Sequence, residues 1–416
     1  MRDNTKEYQY KPRILFISHS SELYGAERSL LTLVRGLHRL DTYEVMVFLP
    51  AEGPLAHLLD EDGIAIRILP YTRWIGLRYH SVARYYRRIR NRLWLRALVR
   101  AAERWMPDLV YTNTIATPVG AMLARKLSSH PLHIWHAREL PGDPSSGFGL
   151  FDYSRKATMR MIVSSSDCFI CNSRYLHDRL VPELQRTQVH SPSTLLRTEI
   201  VYNGLEDPDQ GPHAPGPERP AESTTGPVRL VMAGGVSPVK NYGEAVAAVG
   251  ILDRAGVPVH LEIYGSGAET DLRKLSREIE TAGLEKKIQL MGYRENLKSV
   301  FGQADMLLIT SKMETFGRVA VEAMLAGCPV VSSDAGALPE IVLDGVTGLT
   351  YRLGDAEHLA RQVRRLAEDH SLRKTLGHKA REQARTRFSA ERMVSDIDRI
   401  LQGLLVGSRN EGDDGS

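Results

Sequence analysis

Ser311-Lys312-Met313-Glu314-Thr315-Phe316-Gly317-Arg318-Val319-Ala320-Val321-Glu322 is the stretch that decides the fold. Before it, Met306-Leu307-Leu308-Ile309-Thr310 is a short apolar run that reads as a buried strand. After it, residues 318–325 are good helix formers, and Gly327 followed by Pro329 stops the helix. Strand, tight turn and helix in that order present free backbone N–H groups and the positive end of a helix dipole, which suits a phosphate. Gly317 allows close backbone approach to a ligand. Glu322 lies about 7.5 Å further along the helix axis at ~1.5 Å per residue, roughly the offset from a diphosphate to its ribose. Glu314 precedes the helix, on the side where a donor sugar would lie. Open α/β sheets bind ligands at this end of their strands.

Outward from this stretch the pattern repeats. Strands at 228–232, 259–264, 288–291, 306–310 and 329–332 alternate with helices, which predicts a parallel sheet with right-handed crossovers. Ala233-Gly234-Gly235 leads to Lys240, which could reach a diphosphate as a point charge. Tyr264-Gly265-Ser266-Gly267 and Gly292-Tyr293-Arg294 end two further strands. The N-terminal half repeats the alternation: strands at 13–18, 44–49, 64–69, 108–112, 132–136, 168–172 and 199–202, with helices at 26–40, 54–62 and 118–128. No Gly-x-Gly-x-x-Gly follows the first strand, which disfavours a dinucleotide site.

Glu, seven residues, Glu, in the setting Thr-Ser-x-x-Glu-x-Phe-Gly and then Glu-Ala-Met-x-x-Gly-x-Pro-Val-Val, resembles the retaining family-4 glycosyltransferases. The likeness is strong over residues 228–354 and looser before them. It implies the GT-B fold, α/β with two Rossmann-like doubly wound domains facing a cleft. The expected plan is an acceptor-binding domain at 1–206, a linker at 207–227, a nucleotide-sugar-binding domain at 228–388, and at 389–416 a helix crossing back onto the first domain, then a disordered tail. Six prolines and three glycines without a large apolar residue mark the linker. Its Asp207-x-Asp209 reads as chance, and neither metal nor cofactor is expected.

The resemblance implies a retaining, metal-independent sugar transfer from a UDP- or GDP-sugar to a saccharide or lipid-linked saccharide. Thr315, Phe316 and Gly317 hold the diphosphate with Lys240, Glu322 binds ribose, and Glu314 orients the sugar. Gly235 stands where the family has an arginine, for which Arg318 is a substitute. Gly235, Gly265 and Tyr293 belong to the nucleotide loops, and Tyr293's loop reads the base. Tyr24-Gly25-Ala26-Glu27 resembles the family's Gly-Gly-Ala-Glu loop, placing Gly25 at the cleft. A histidine on the exit loop of the 132–136 strand contacts the donor sugar in such enzymes. His136 is that residue here, or else its position falls on Arg138, with Glu139 beside it. The alternative is a non-catalytic nucleotide-sugar-binding scaffold of a polysaccharide machinery; an epimerase of the same fold ranks below both.

Composition fits this picture: 42% hydrophobic and 25% charged residues are ordinary for a soluble globular protein. The polar first eleven residues lack the apolar core of a signal peptide. Cys168, Cys171 and Cys328 are too few for a disulfide framework and read as small core residues. A cytoplasmic setting is expected. Residues 71–104 carry ten arginines against Glu103 alone. From Arg84 they read as a helix with Tyr85, Ile89, Leu93, Leu95 and Leu98 as its apolar stripe. Arg84, Arg87, Arg88 and Arg92 are expected to meet an anionic membrane on the inner face of the cell; no nucleic-acid partner is expected.

Overall fold

The apolar runs at residues 13–17, 109–112, 168–171 and 306–309 form buried strands in the computed structural model, which describes residues 10–76, 81–141, 150–188, 196–207 and 226–413. Residues 208–225, most of the expected linker, lie outside the described residues, as does Asp209. Strands β1 (Arg13–Ile17), β2 (Glu44–Leu49), β3 (Ala65–Ile68), β5 (Leu109–Thr112), β6 (Leu132–Ala137), β8 (Cys168–Cys171) and β9 (Arg197–Ile200) build a parallel sheet in the order β3-β2-β1-β5-β6-β8-β9. A second parallel sheet, β12-β11-β10-β13-β14-β15, comprises β10 (Val228–Ala233), β11 (Val259–Tyr264), β12 (Ile288–Gly292), β13 (Met306–Ile309), β14 (Val330–Ser333) and β15 (Gly348–Tyr351). Two short strands, β4 (Ile75–Gly76) and β7 (Leu150–Phe151), pair antiparallel beside the first sheet.

The helices of the first half are α1 (Gly25–Leu40), α2 (Pro54–Glu61), α3 (Ser81–Trp105), α4 (Val119–Ala124), α5 (Arg155–Ser164) and α6 (Arg174–Gln188). The second half has α7 (Tyr242–Arg254), α8 (Glu269–Thr281), α9 (Lys298–Gln303), α10 (Arg318–Leu325), α11 (Leu338–Ile341), α12 (Ala356–Glu368), α13 (His370–Arg387) and α14 (Ala390–Asp413). In each sheet the order reverses beside one strand, β1 or β10, and the crevice outside such a switch point is where doubly wound sheets hold ligands. The loops after β1 and β10 therefore face the interdomain cleft from opposite sides.

Two crossings join the halves. Leu205 N–H donates to the Phe388 carbonyl at 2.8 Å, and Ala390 N–H donates to the Leu205 carbonyl at 3.0 Å. Beyond them α14 returns to the first domain, where Met393, Val394, Ile397, Ile400 and Leu401 join the core around β1, β2 and α1. Glu340 of α11 caps a helix of the other domain: its carboxylate accepts from the N–H groups of Arg174 at 2.9 Å and Tyr175 at 2.6 Å. An anion at a helix N-terminus satisfies orphan donors and complements the dipole.

Several boundaries differ from the sequence reading. Gly348 opens a further strand, β15, beyond those expected from the sequence; a Cβ there would lie 2.4 Å from the Val330 carbonyl oxygen, and only glycine lets the strands meet. α14 continues to Asp413, into the segment where a tail was expected, since Gly407 only weakens a helix and no proline follows. α4 stops at Ala124, and β9 sits two residues earlier than expected.

Candidate active site in the interdomain cleft

α10 forms where the sequence places it, and its geometry follows from its residues. Gly317 is the N-cap at φ 99°, a left-handed conformation that a side chain would strain. Ala320, Val321, Ala323, Met324 and Leu325 are buried, so Arg318 and Glu322, four residues apart, share the remaining face. Gly327, at φ 71°, closes the helix. Gly317, Arg318 and Val319 of the first turn line a cleft of about 720 Å³ between the domains, together with Tyr24, Gly25, Arg28, Lys240, Tyr242, Tyr293, Glu314 and Glu322. The first N–H groups of a helix have no intrahelical acceptor, so this wall offers donors to an anion.

Two ion pairs span the wall. Lys240 Nζ lies 2.5 Å from Glu314 Oε1, which also accepts from Ser311 Oγ at 2.9 Å. Arg318 Nε donates to Glu322 Oε1 at 2.9 Å, while Arg318 Nη1 is buried without a hydrogen-bond partner. Burial lowers the Arg318 pKa, Glu322 opposes that shift, and Arg28 adds to it from across the cleft. Lys240 is fixed from behind, because Thr310 Oγ1 donates to its carbonyl at 2.8 Å.

The glycine loops serve this wall by packing on each other. A Cβ on Gly265 would lie 1.9 Å from the Gly234 carbonyl oxygen, and one on Gly336 would lie 2.3 Å from that of Glu314. Gly265 is thus a spacer that sets the loops, and its neighbour Ser266 reaches the cleft. Gly235 is exposed in the loop that carries Lys240. Phe316 faces inward, packing against Tyr202 and Phe388 at the domain crossing. Thr315 joins the domains, its Oγ1 donating to the Arg138 carbonyl at 2.7 Å.

His136, expected at the donor sugar, is not among the described residues that line this cleft. It lies inside β6, whose two faces are both covered, and is 0% exposed. Its Nδ1 is 2.6 Å from Tyr111 Oη, and burial with the nearby Arg138 charge holds its pKa well below the usual histidine range. Arg138, just past the strand end, is buried as well, donating from Nε to the Asn113 carbonyl at 3.1 Å and Oδ1 at 2.9 Å. Its guanidinium also bonds Asn203 Oδ1.

The first domain also carries a charged cluster behind the cleft, in which Glu27 and Glu139 belong to segments that the sequence places near it and His19 does not. His19 Nδ1 lies 3.0 Å from Glu27 Oε1, whose side chain is fully buried. Burial pulls the His19 imidazolium down, but Glu27 more than reverses it, so its pKa is raised. Burial raises that of Glu139 nearby. His19 looks like an ordinary polar loop residue in the sequence; only the fold brings 19, 27 and 139 together.

Comparison with known proteins bears on what such a cleft does. A family model described as Glycosyl transferases group 1 matches residues 218–383, and one described as Glycosyltransferase Family 4 matches residues 24–204. The chain is 29% identical over 154 residues to N-acetyl-alpha-D-glucosaminyl L-malate synthase of Bacillus anthracis, covering 37% of this chain and 40% of that one. It is 29% identical over 297 residues to a glycogen synthase of Mycobacterium tuberculosis, covering 71% of this chain and 66% of that one. In fold it matches the Anabaena protein HepE, solved with UDP, at a TM-score of 0.72 and 23% identity over 94% of this chain and 100% of that one. It also matches sucrose-phosphate synthase of Thermosynechococcus elongatus at a TM-score of 0.73 and 18% identity, over 95% of this chain and 100% of that one.

Proposed function

This chain belongs to glycosyltransferase family 4 and has the two-domain GT-B fold, and from that premise we propose that it moves a sugar from a UDP- or GDP-sugar to a saccharide or lipid-linked saccharide, with retention at the anomeric carbon, in polysaccharide or glycolipid biosynthesis. The observation that carries this is the pair of ion pairs, Lys240–Glu314 and Arg318–Glu322, framing the first turn of α10. Each pair joins a cation suited to a phosphate with a carboxylate suited to sugar hydroxyls. A nucleotide-sugar supplies both partners at once. Lys240 exchanges Glu314 for a diphosphate oxygen, and Glu314 turns to the donor sugar. Arg318 Nη1, in the place of the arginine missing at Gly235, takes a second phosphate oxygen, and Glu322 takes the ribose hydroxyls.

The reaction follows from that binding. The bond from the anomeric carbon to the diphosphate oxygen breaks. Negative charge developing on the diphosphate meets Lys240, Arg318 and the N–H groups of α10, fixed donors that need no reorganisation. The acceptor hydroxyl attacks from the face the diphosphate leaves, and its proton passes to a leaving-group oxygen. Glu314 orients the sugar through its hydroxyls. A peripheral position on the inner face of the cell membrane gives access to a lipid-linked acceptor.

A thermal-shift screen of UDP-, GDP- and ADP-sugars tests this. A true donor at a hundredfold its dissociation constant stabilises the fold by about 2.7 kcal/mol. Sugar transfer then continues in EDTA; a loss of activity restored by a divalent ion would refute the metal-free scheme. Silence toward every nucleotide-sugar would remove the proposal.

A further inference from the structure

We infer that the outward face of α3 docks on an anionic membrane surface. The inference rests on the lipid-linked acceptor of the proposed function and says which side chains meet the lipid. They do not include Arg87 and Arg88. Arg87 forms an ion pair with Asp152, and the Arg88 guanidinium bonds the Asp152 carbonyl and stacks 4.0 Å from the Tyr153 ring centroid. Both pin α3 to the 151–153 segment. The side chain of Arg84 lies outside the described residues.

The helical period sorts the rest. At about 100° per residue, Asn91, Leu98 and Ala102 fall on one side of α3. All three are buried: Asn91 holds Thr72 through its N–H at 2.7 Å and its carbonyl at 2.9 Å, and the other two enter the core. Leu98 is thus a core residue, and Leu95 is only half-buried. The opposite side carries Val82, Tyr85, Tyr86, Ile89 and Leu93, all exposed, with Val82 at 79% and Leu93 at 72%. A cluster of large apolar side chains on one exposed face is unusual on a soluble surface unless something covers it. On and beside the same face, Arg92, Arg96, Arg100 and Arg104 are exposed.

That combination selects the occupant. Guanidinium groups pair with lipid phosphates while tyrosines and aliphatic side chains enter the interface below them. A nucleic acid would satisfy the arginines and leave Val82, Ile89 and Leu93 in water. Insertion stays shallow, since among the described residues no helix is long and apolar enough to cross a membrane. The position fits delivery of a lipid-linked acceptor. α3 is braced against Thr72 and Asp152, and Trp74 between them bonds the Ala116 carbonyl at the strand ends that face the cleft.

Co-sedimentation of the full chain with phosphatidylcholine vesicles, with and without phosphatidylglycerol, measures it. We expect binding only with phosphatidylglycerol, weakened by salt. The triple change Arg92→Gln, Arg96→Gln, Arg100→Gln lowers partition about a hundredfold. The pair Ile89→Gln, Leu93→Gln lowers it about tenfold or more, while Arg273→Gln with Arg361→Gln, exposed on the second domain, leaves it unchanged. All of the changed side chains lie at the surface, so the fold survives, and the nucleotide-sugar thermal shift stays as in the parent protein. No binding to phosphatidylglycerol at low salt overturns the inference, as does undiminished binding by both face variants or binding to RNA but not vesicles. Vesicle binding that behaves as expected while no nucleotide-sugar shifts the melting would sink the donor reading and leave this surface standing.

Discussion

The two walls of the cleft are built from the same kind of strand end and solve opposite problems. On the α10 side, Gly265 lets its backbone approach that of Gly234, Gly317 takes a left-handed turn, and Lys240 and Arg318 each have a counter-ion within 3 Å. On the β1 and β6 side, charges are buried without full pairing: His19 meets Glu27 Oε1 at 3.0 Å, while Glu27 Oε2 and one oxygen of Glu139 lack hydrogen-bond partners. The first wall presents backbone and fixed cations, which suits the diphosphate of the proposed UDP- or GDP-sugar. The second keeps its charges inside, with Glu27 0% and Glu139 3% exposed, so it supports the cleft without presenting those carboxylates to it. The difference teaches that strand ends of one kind can serve either contact or support.

The sharpest way to break this comparison is at Lys240. Lys240→Ala should cut turnover by about 10²–10³-fold, the loss typical when one preorganised group facing developing charge is removed. Steady-state kinetics checks it, and a loss below about threefold would make the Glu314 pair a mere surface contact. Next comes the backbone. Gly265→Ala forces a Cβ onto the Gly234 carbonyl, which cannot yield as a side chain could, so a stability loss of about 3 kcal/mol in urea unfolding is expected. The same substitution at Gly256, which has open space but φ +71°, serves as the comparison, and its smaller loss separates contact from backbone strain.

How much of this was legible beforehand divides along the same line. The α10 wall could be read residue by residue because its signals are local: a buried strand, a glycine turn and a helix with polar residues four apart. The limits of α10 at Arg318 and Leu325 came out as expected for that reason. The opposite wall could be read only in part: the Tyr24–Glu27 loop and Glu139 stand out in the sequence, but their meeting with His19 depends on tertiary packing. His136 misled because strand position alone does not say which way a side chain points, and β6 is covered on both faces. The basic segment misled similarly: its charge was plain, but Asp152, which takes Arg87, lies 65 residues away.

A smaller effect sharpens the donor wall. Glu322→Ala should weaken binding of the free nucleoside diphosphate by about 2 kcal/mol, the worth of a charge-assisted contact. Glu314→Ala should leave that affinity nearly intact and lower turnover, since it faces the sugar. Calorimetric titration of both variants decides; equal losses of affinity would mean the two carboxylates do not divide sugar from ribose.

The smallest expected effect probes the other wall, and its sign is fixed by the His19–Glu27 pair. The folded-state pKa of His19 is raised, so folding favours the imidazolium. Its contribution to stability is fully present below the unfolded value of about 6.5 and is lost as pH rises through the folded value. The groups acting on it are Glu27 and Glu139, which favour the cation, and Arg73, which opposes it. Burial opposes it too, and the net shift is upward. His19→Gln removes the titration while keeping a hydrogen-bonding side chain. Urea unfolding of parent and variant from pH 5.5 to 8.5 should show the parent losing its advantage as pH rises. An advantage that instead grows with pH would mean His19 is held neutral, and the charged wall would then lack the cation that balances Glu27.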